Sequence, residues 1–561
     1  MSAATLLAAV AATARRRGES TGMQVLGGAE IPYERLLGMS AWLGGRIPPA
    51  ADGAPTAVLI AASEPLPTMV AFFAAIGAGA RPLILPAPKG MGGIEAFLRT
   101  ATEAAGRFGG RAVLALEQGM APEGGRLPDT AAVLPLPVGA DDYGMAELPE
   151  ISASPDDIAY LQMTSASTGD AKLVAVTHAN VLANLAAIGE AVGGGAEARV
   201  VSWLPLYHDM GLVGATLFSF LHGCPLMLMK PAEFVGRPGR WIRALSDFRA
   251  TDTAAPTFGY EYAARVTPDR DLEGIDLGAL RHAVVGAEPI RHDALQSFHD
   301  RFGPCGFRAD SFVPSYGMAE STLGGTMATG SAPRYAAVDL AGLAVGQPVP
   351  ILDEGEIGPG AQPPKRGVAV FSVGSALAGM AVSIVGDDGE PLAGDAVLGE
   401  IALRGSSVAA GYFDAEAGRS VPFSADGLPT GDLGFVHAGA LFVVERKKHV
   451  IIRRGQNFLA ALFEERVARI LGCSAHQVIV LDTDIYDPDS VVVALVENIV
   501  RQIELDAEQR AALRALELPL DQLLLARRRI IPRTTSGKKK YHLCRQLLAA
   551  RELAVKQILQ V

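Results

Sequence analysis

The alternation of two periods constrains this chain more than any other feature. Short apolar runs bounded by turn residues, namely TAVLIAAS (56–63), RPLILP (81–86), RAVLALE (111–117), ARVVSWLP (198–205), CPLMLM (224–229) and LRHAVVGAEP (280–289), are separated by longer stretches with helical periodicity such as PTMVAFFAAIGAGA (67–80). Runs without a polar face fit strands covered on both sides, and strands alternating with helices imply parallel sheets flanked by helices. The expected class is therefore α/β, with a large N-terminal domain of parallel-rich sheets. In such folds ligands bind beyond the carboxyl ends of the strands.

After about residue 335 the texture changes. Residues 336–368 are rich in Pro and Gly and weakly periodic, which reads as an irregular insertion. Shorter strand-like runs follow (VAVFSVG, MAVSIVGDDGE, LGEIALRG, ALFVVERKKHVIIRRG), a small β-rich subdomain joined by tight turns. From Arg446 a last block combines a strand (HQVIVLD), a charged helix (DAEQRAALRALE) and a basic loop (PRTTSGKKKY). A chain of 561 residues exceeds one hydrophobic core. The expected division is 1–445, carrying the insertion, and a small α/β C-terminal domain over 446–561.

Composition excludes several classes of function. A net charge of −11 argues against nucleic acid or anionic lipid as the main partner, since both reward a basic surface. Cys224, Cys305, Cys473 and Cys544 are widely spaced, which gives neither a disulfide framework nor a zinc site and fits a reduced cytoplasm. In TLLAAVAATARRRG the arginines follow the apolar run, the reverse of a signal peptide, so an amphipathic surface helix is expected. GLVGATLFSFLHGCPLMLM (211–229) has the length of a membrane span. His222, Gly223 and Pro225 divide it, so a buried helix and then a buried strand are expected, and no membrane span.

The stretch LQMTSASTGDAKLVAVTHANV (161–181) places Thr164, Ser165, Ser167 and Thr168 within five residues, followed by Gly169 and Lys172. Hydroxyls and glycine-exposed amides can converge on an anion such as phosphate. A nucleotide-binding P-loop is excluded, because its lysine directly follows a glycine, whereas Lys172 lies three residues beyond Gly169. Taken alone, the run fits a phosphate cradle and a polar turn capping the helix near His178 equally well.

The remaining motifs decide between them. TSASTGDAKL resembles the phosphate-binding signature of adenylate-forming enzymes (acyl-CoA synthetases, luciferases, nonribosomal peptide adenylation domains and fatty acyl-AMP ligases), with Ala166, Ala171 and Leu173 in place of a glycine, a proline and a glycine. WLPLYHDMGL (203–212), GAEP (286–289), PSYGMAES (314–321), TGDLG (430–434), ERKKHVIIRRGQNF (445–458) and IPRTTSGKKK (531–540) are similar to that superfamily's other motifs, in its order. Each motif alone is weak; together they spread, in order, over most of the chain. Within the superfamily the chain looks most like fatty acyl-AMP ligases, through WLPLYHDMGL with the segment that follows it and through the Pro/Gly-rich insertion.

The resemblance implies ATP-dependent activation of a carboxylic acid to an acyl adenylate, with loss of pyrophosphate. Acyl transfer to the phosphopantetheine thiol of an acyl carrier protein would follow. It implies ATP and Mg2+, the metal on Glu320, and a catalytic role for Lys538, His208 and Glu320. The ATP-binding set would be Thr164, Ser165, Ser167, Thr168, Gly169 and Lys172 on the phosphates, Gly286, Ala287, Glu288, Ser315, Tyr316, Gly317, Met318 and Ala319 around adenine, and Asp432 and Arg446 on the ribose. Lys448 would be the hinge of a mobile C-terminal domain. There Glu445 replaces a glycine and His449 an acidic residue; His449 is expected to be a solvent-exposed strand residue. The acyl pocket would be formed by Tyr207, Met210, Gly211, Thr257, Phe258, Gly259, Ser321 and Thr322, with Gly259 leaving room for a fatty or other apolar chain. Two alternatives stand beside this reading: an acyl-CoA or aryl-CoA ligase using free CoA, and a non-adenylating relative that only binds or transfers a preformed acyl adenylate.

Overall fold

The computed structural model describes residues 4–560 apart from 49–55, 87–96, 98–100, 102, 107, 109–111, 119, 121–130, 151, 165–171, 196, 340–342, 416, 425–426, 454–455, 485–489, 500–503, 517 and 534–538. Two large sheets make up the first part of the chain. In the nine-stranded sheet, strands Phe312–Gly317, His282–Gly286, Asp252–Pro256, Val200–Ser202, Leu226–Leu228 and Gly22–Val25 run parallel to their neighbours. The eight-stranded sheet has a parallel centre of Ile158–Met163, Arg81–Ile84, Ala57–Ala61, Ala112–Glu117 and Ala131–Leu136. Antiparallel strands close both edges of the nine-stranded sheet and one edge of the eight-stranded sheet, whose other edge is the parallel strand Ala131–Leu136. The short apolar runs are these strands because each is covered on both faces: every residue of Ala57–Ala61 is buried.

The helix Pro65–Gly77 is buried from Pro65 through Ile76, with no polar face to turn toward water. The helix His178–Ala191 is fixed at its start by a capping box, in which the Thr177 side chain accepts from the Asn180 amide. The divided apolar stretch is a π-helical segment (Met210–Leu217), a short helix (Phe218–His222) and a strand (Leu226–Leu228). Among the described residues no helix is long and apolar enough to cross a membrane. The N-terminal helix, Leu6–Arg17, is docked more deeply than a surface helix. Leu6, Leu7, Val10 and Ala14 enter the main core, and the Leu6 amide donates to His178 Nδ1.

The Pro/Gly-rich segment differs from the irregular insertion expected. Strands Ile351–Glu356, Arg334–Val338 and Val368–Phe371 form a three-stranded antiparallel sheet. Ala336, Val338, Val349 and Val370 share a core with Leu433 and Phe435 of the neighbouring four-stranded antiparallel sheet. Proline and glycine set its turns, and pairing among its own three strands supplies the regularity that local periodicity lacks. The C-terminal unit has its own core, built from residues between Ile451 and Leu559 around the sheet of Val478–Asp482, Val492–Val496, Gln522–Leu525 and Gln557–Gln560.

One charged cluster pins the three-stranded sheet to its neighbour. His437 lies 2.5 Å from Asp395 and 3.1 Å from Glu354, and Glu354 also pairs with Arg334 at 3.0 Å. Burial works to lower the His437 pKa, but the two carboxylates outweigh it and raise it, while His437 lowers theirs. A raised histidine pKa stabilises below the ordinary value and is lost as pH climbs through the raised one; depressed carboxylate pKa values stabilise above their ordinary range. The cluster is therefore fully engaged between about pH 4.5 and 6.5. Comparing His437→Ala with the parent by thermal unfolding should give a melting difference of about 1–2 °C in that window. The difference should shrink toward pH 9; a gap that widens with pH would contradict the assignment.

Candidate active site

Four parallel strands of the nine- and eight-stranded sheets end at one cavity of about 820 Å³: Ile158–Met163, Asp252–Pro256, His282–Gly286 and Phe312–Gly317. It lies beyond their carboxyl ends, as parallel α/β sheets place their ligands. The β-rich unit adds Glu400, Thr430, Asp432 and Arg446, and the C-terminal unit adds Glu464, Glu465, His476, Lys539 and Tyr541.

Asp432 is the centre of the polar wall. It is buried, accepts from the Tyr316 hydroxyl at 2.7 Å on one oxygen and from Arg446 Nε at 2.8 Å on the other. Antiparallel register makes this possible, since Asp432 and Arg446 are direct partners across their two strands. The T-G-D turn is built locally. Thr430 donates to the Ile401 carbonyl and accepts from the Asp432 amide, and Gly431 takes φ +74°, which glycine adopts without steric cost. Burial and the Asp432 carboxylate push the Tyr316 phenol well above its ordinary range, so it stays a hydrogen-bond donor. Asp432 holds Arg446 above its ordinary value although burial opposes this.

Opposite stands Glu320, whose Oε1 accepts from the Tyr412 hydroxyl at 2.9 Å. The Tyr412 ring lies under the Lys172 ammonium, 4.2 Å from nitrogen to ring centroid, a cation–π contact. Thr164 and Lys172 face each other across the base of their loop, the Thr164 amide donating to the Lys172 carbonyl and the Lys172 amide to Thr164 Oγ1. Gln162 fixes the substrate-facing backbone by donating to the Tyr207 carbonyl at 2.8 Å, and His208 Nδ1 lies 2.6 Å from Asp209. Among the described residues no cluster of three or more metal-ligating side chains exists. Glu320 is one of several carboxylates that line the cavity and lies on the side of Tyr412 and Lys172. Mg2+ is held by one or two carboxylates and completes its shell with phosphates and water, so the residues fit it.

Of the residues singled out from sequence, Thr164, Lys172, Tyr207, His208, Met210, Phe258, Gly286, Ala287, Glu288, Ser315, Tyr316, Gly317, Met318, Ala319, Glu320, Asp432, Arg446 and Lys448 line this cavity. Gly286 must be glycine, because a Cβ there would lie 2.7 Å from the Ser315 carbonyl oxygen. Ser165, Ser167, Thr168, Gly169 and Lys538 lie outside the described residues.

Five acyl-pocket residues do not line the cavity. Gly211 packs on the Pro205 carbonyl, and Gly259 leaves space for the Trp203 ring, not for a chain. Thr257, Ser321 and Thr322 are buried, the Thr322 hydroxyl donating to the Ser407 carbonyl. The apolar wall is instead formed by Ile84, Ile188, Ala254, Val284, Leu323 and Met327. His449 is another correction. It is 8% exposed, stacks on Tyr541 at 4.0 Å, and has Nδ1 3.5 Å from Glu445. Burial alone would raise the Glu445 pKa; His449 and the amides of Ala461 and Arg446 hold it below the ordinary value. The two departures from the family pattern are thus partners. Tyr412, Gln162, Glu464 and His476 were not anticipated: Tyr412 sits 92 positions from Glu320, and no spacing rule joins them.

A family model for AMP-binding enzymes matches residues 53–413. The medium-chain-fatty-acid–acyl-carrier-protein ligase TtuA of Teredinibacter turnerae is 32% identical over 73% of this chain, which spans 66% of that relative's length. A putative acyl-CoA synthetase of Caulobacter vibrioides is 32% identical over 91% of this chain and 88% of its own. A solved structure from a study of fatty acyl-adenylate ligases of E. coli and L. pneumophila superposes with a TM-score of 0.77 at 25% identity, over 98% of this chain and 99% of that one. On the matched motifs, the fold and the composition of the cavity, the chain belongs to the AMP-binding enzyme family.

Proposed function

We propose that this protein condenses ATP with a fatty or other apolar carboxylic acid to form an acyl adenylate, and then passes the acyl group to the phosphopantetheine thiol of an acyl carrier protein. The observation that carries the reading is one cavity with a Tyr316–Asp432–Arg446 wall suited to a ribose, a Lys172–Tyr412–Glu320 wall suited to phosphate and metal, and an apolar wall around Leu323 and Met327. Its size fits a nucleotide joined to a chain of moderate length.

In the first step a carboxylate oxygen of the acid attacks the α-phosphorus of ATP. The new O–P bond forms as the bond to the bridging β-oxygen breaks, and pyrophosphate leaves with that electron pair. In the second step the thiol sulfur attacks the acyl carbonyl carbon, the C–O bond to AMP breaks, and the thiol proton passes to solvent. Asp432 and Arg446 orient the nucleotide, which supplies positioning. Lys172 and, from the sequence motif, Lys538 place positive charge where it offsets the meeting of two anions. Glu320 would hold Mg2+, which when bound would neutralise charge at the phosphates. His208 and Tyr207 border the acid, and the C-terminal unit 446–561 pivots at Lys448 between the two steps. The Caulobacter relative's name favours a second reading, transfer to free CoA.

Pyrophosphate release with ATP, Mg2+ and a panel of fatty and aromatic acids, with and without CoA, tests this directly. Acid-dependent release that is lost in Lys538→Ala, with acyl-AMP accumulating despite CoA, is expected; conversion to acyl-CoA would favour the second reading. Release absent from every acid, with transfer from synthetic acyl adenylates intact, would leave the chain a non-adenylating relative. Asp432→Asn should raise the KM for ATP about ten-fold with little change in kcat, as loss of a charge-assisted bond to bound nucleotide predicts. Tyr412→Phe keeps the ring under Lys172 but frees Glu320, and should raise the Mg2+ concentration for half-maximal rate about ten-fold.

A further inference from the structure

The C-terminal unit keeps a core of its own and, among the described residues, meets the larger part through two sets of contacts. Units with separate cores can move relative to one another unless something fastens them. One set lies at the chain connection, around Glu445 and His449. A second set is remote from it, at the turn 474–476. There Ser474 Oγ donates to Glu261 Oε1 at 3.0 Å, and the His476 imidazole stacks on Phe258 with 6.0 Å between centroids and 27° between planes.

Both sides of this contact are stiff. Glu261 is held by an ion pair with Arg291, itself 12% exposed. On the other side Lys539 donates to the Ala475 carbonyl at 2.9 Å and Arg533 to the His476 carbonyl at 2.7 Å. Those two cations are anchored by buried carboxylates, Lys539 on Glu464 and Arg533 on Glu497. They are also the residues that flank Lys538 in sequence on either side of 534–538. Burial, together with Arg533, Lys539, Arg291 and Arg529, pushes the His476 pKa down to about 3, so the stacked ring is neutral across the working range. Phe258 belongs to the cavity wall and begins the helix Thr257–Val266 that carries Glu261 one turn on.

We propose that Ser474 and His476 are a latch, positioning residues that seat the C-terminal unit over the cavity for the adenylation step and release it for acyl transfer. The inference rests on the two-step reading above. With the latch engaged, the turn completes the wall between Phe258 and Arg291, which keeps water from the reactive adenylate. Because Phe258 is shared by the wall and the latch, the acid that fills the cavity bears on how firmly the latch holds.

The test uses the full chain, with Ser474→Ala, Ser474→Thr and Lys538→Ala beside the parent. Acid-dependent ATP–pyrophosphate exchange, with the best acid of the panel, reads the first step. Transfer from that acid's synthetic adenylate to pantetheine reads the second. Amide hydrogen exchange over 257–262 reads the contact without any substrate. Ser474→Ala should lower the exchange kcat about ten-fold with the KM for ATP unchanged. It should also speed amide exchange at 257–262 and leave transfer within two-fold of the parent, and Ser474→Thr, which keeps the hydroxyl, should restore all three. Parent-like pyrophosphate exchange in Ser474→Ala, or an equal loss in both steps, would overturn the latch. Exchange unaffected by Lys538→Ala would instead count against the catalytic reading, and unchanged protection at 257–262 against the contact itself.

Discussion

Two parts of the molecule, the nine-stranded sheet and the β-rich unit, meet at the Asp432 carboxylate. Tyr316 reaches it from the end of a central strand in the nine-stranded sheet, and Arg446 from the last strand before the C-terminal unit. The carboxylate itself belongs to the β-rich unit. A buried carboxylate needs a full set of partners, because an unpaired charge away from water is costly. Here the requirement fixes the β-rich unit against the large sheets and places the start of the C-terminal connection within the same cluster. Backbone geometry supports it on both sides, through cross-strand register and through the turn at Gly431.

From that point a line of buried polar groups continues into the C-terminal unit. Glu445 accepts from the amides of Arg446 and Ala461 and faces His449; His449 stacks on Tyr541; Tyr541 donates to Glu464; and Glu464 pairs with Lys539. Each group meets the next, and low dielectric strengthens the individual bonds while penalising the loss of any one. Among these groups His449 Nε2 is buried without a hydrogen-bond partner in the described residues. The arrangement explains why two residues that depart from the superfamily pattern occur together. A buried carboxylate at 445 calls for a neighbouring base, and 449 lies one helical turn beyond it. The same chain of contacts ends beside the turn that touches Phe258, so the connection and the remote contact are two ends of one rigid path.

Much of the fold could be read from the residues. Strands such as Ala57–Ala61 and Leu226–Leu228 were legible because burial on both faces leaves an unbroken apolar run of strand length. The segment 336–368 was not, because its strands alternate only weakly and pair across long Pro/Gly-rich connections. The depth of the N-terminal helix was also hidden: its apolar face is plain in sequence, but what covers that face is decided by packing. In the site, motifs with fixed local geometry were found, among them T-G-D and the Gly286–Glu288 turn. Of the residues expected around an acyl chain, Tyr207, Met210 and Phe258 line the cavity and the other five lie behind its wall. Gly259 reads as free space until the Trp203 ring is seen against it, and Leu323 and Met327 carry no motif at all.

The sequence by itself determined the alternation of strands and helices, the turns that need particular residue types, and the order of the nucleotide motifs, since all three are local properties of neighbouring residues. Tertiary structure alone decided which side chains meet: Tyr412 with Glu320 and Lys172, His449 with Glu445 and Tyr541, and Ser474 with Glu261. Each of those three constellations joins residues widely separated along the chain, and none is announced by a motif. Their pairing follows from strand order, register and the placing of the C-terminal unit, none of which a local pattern encodes.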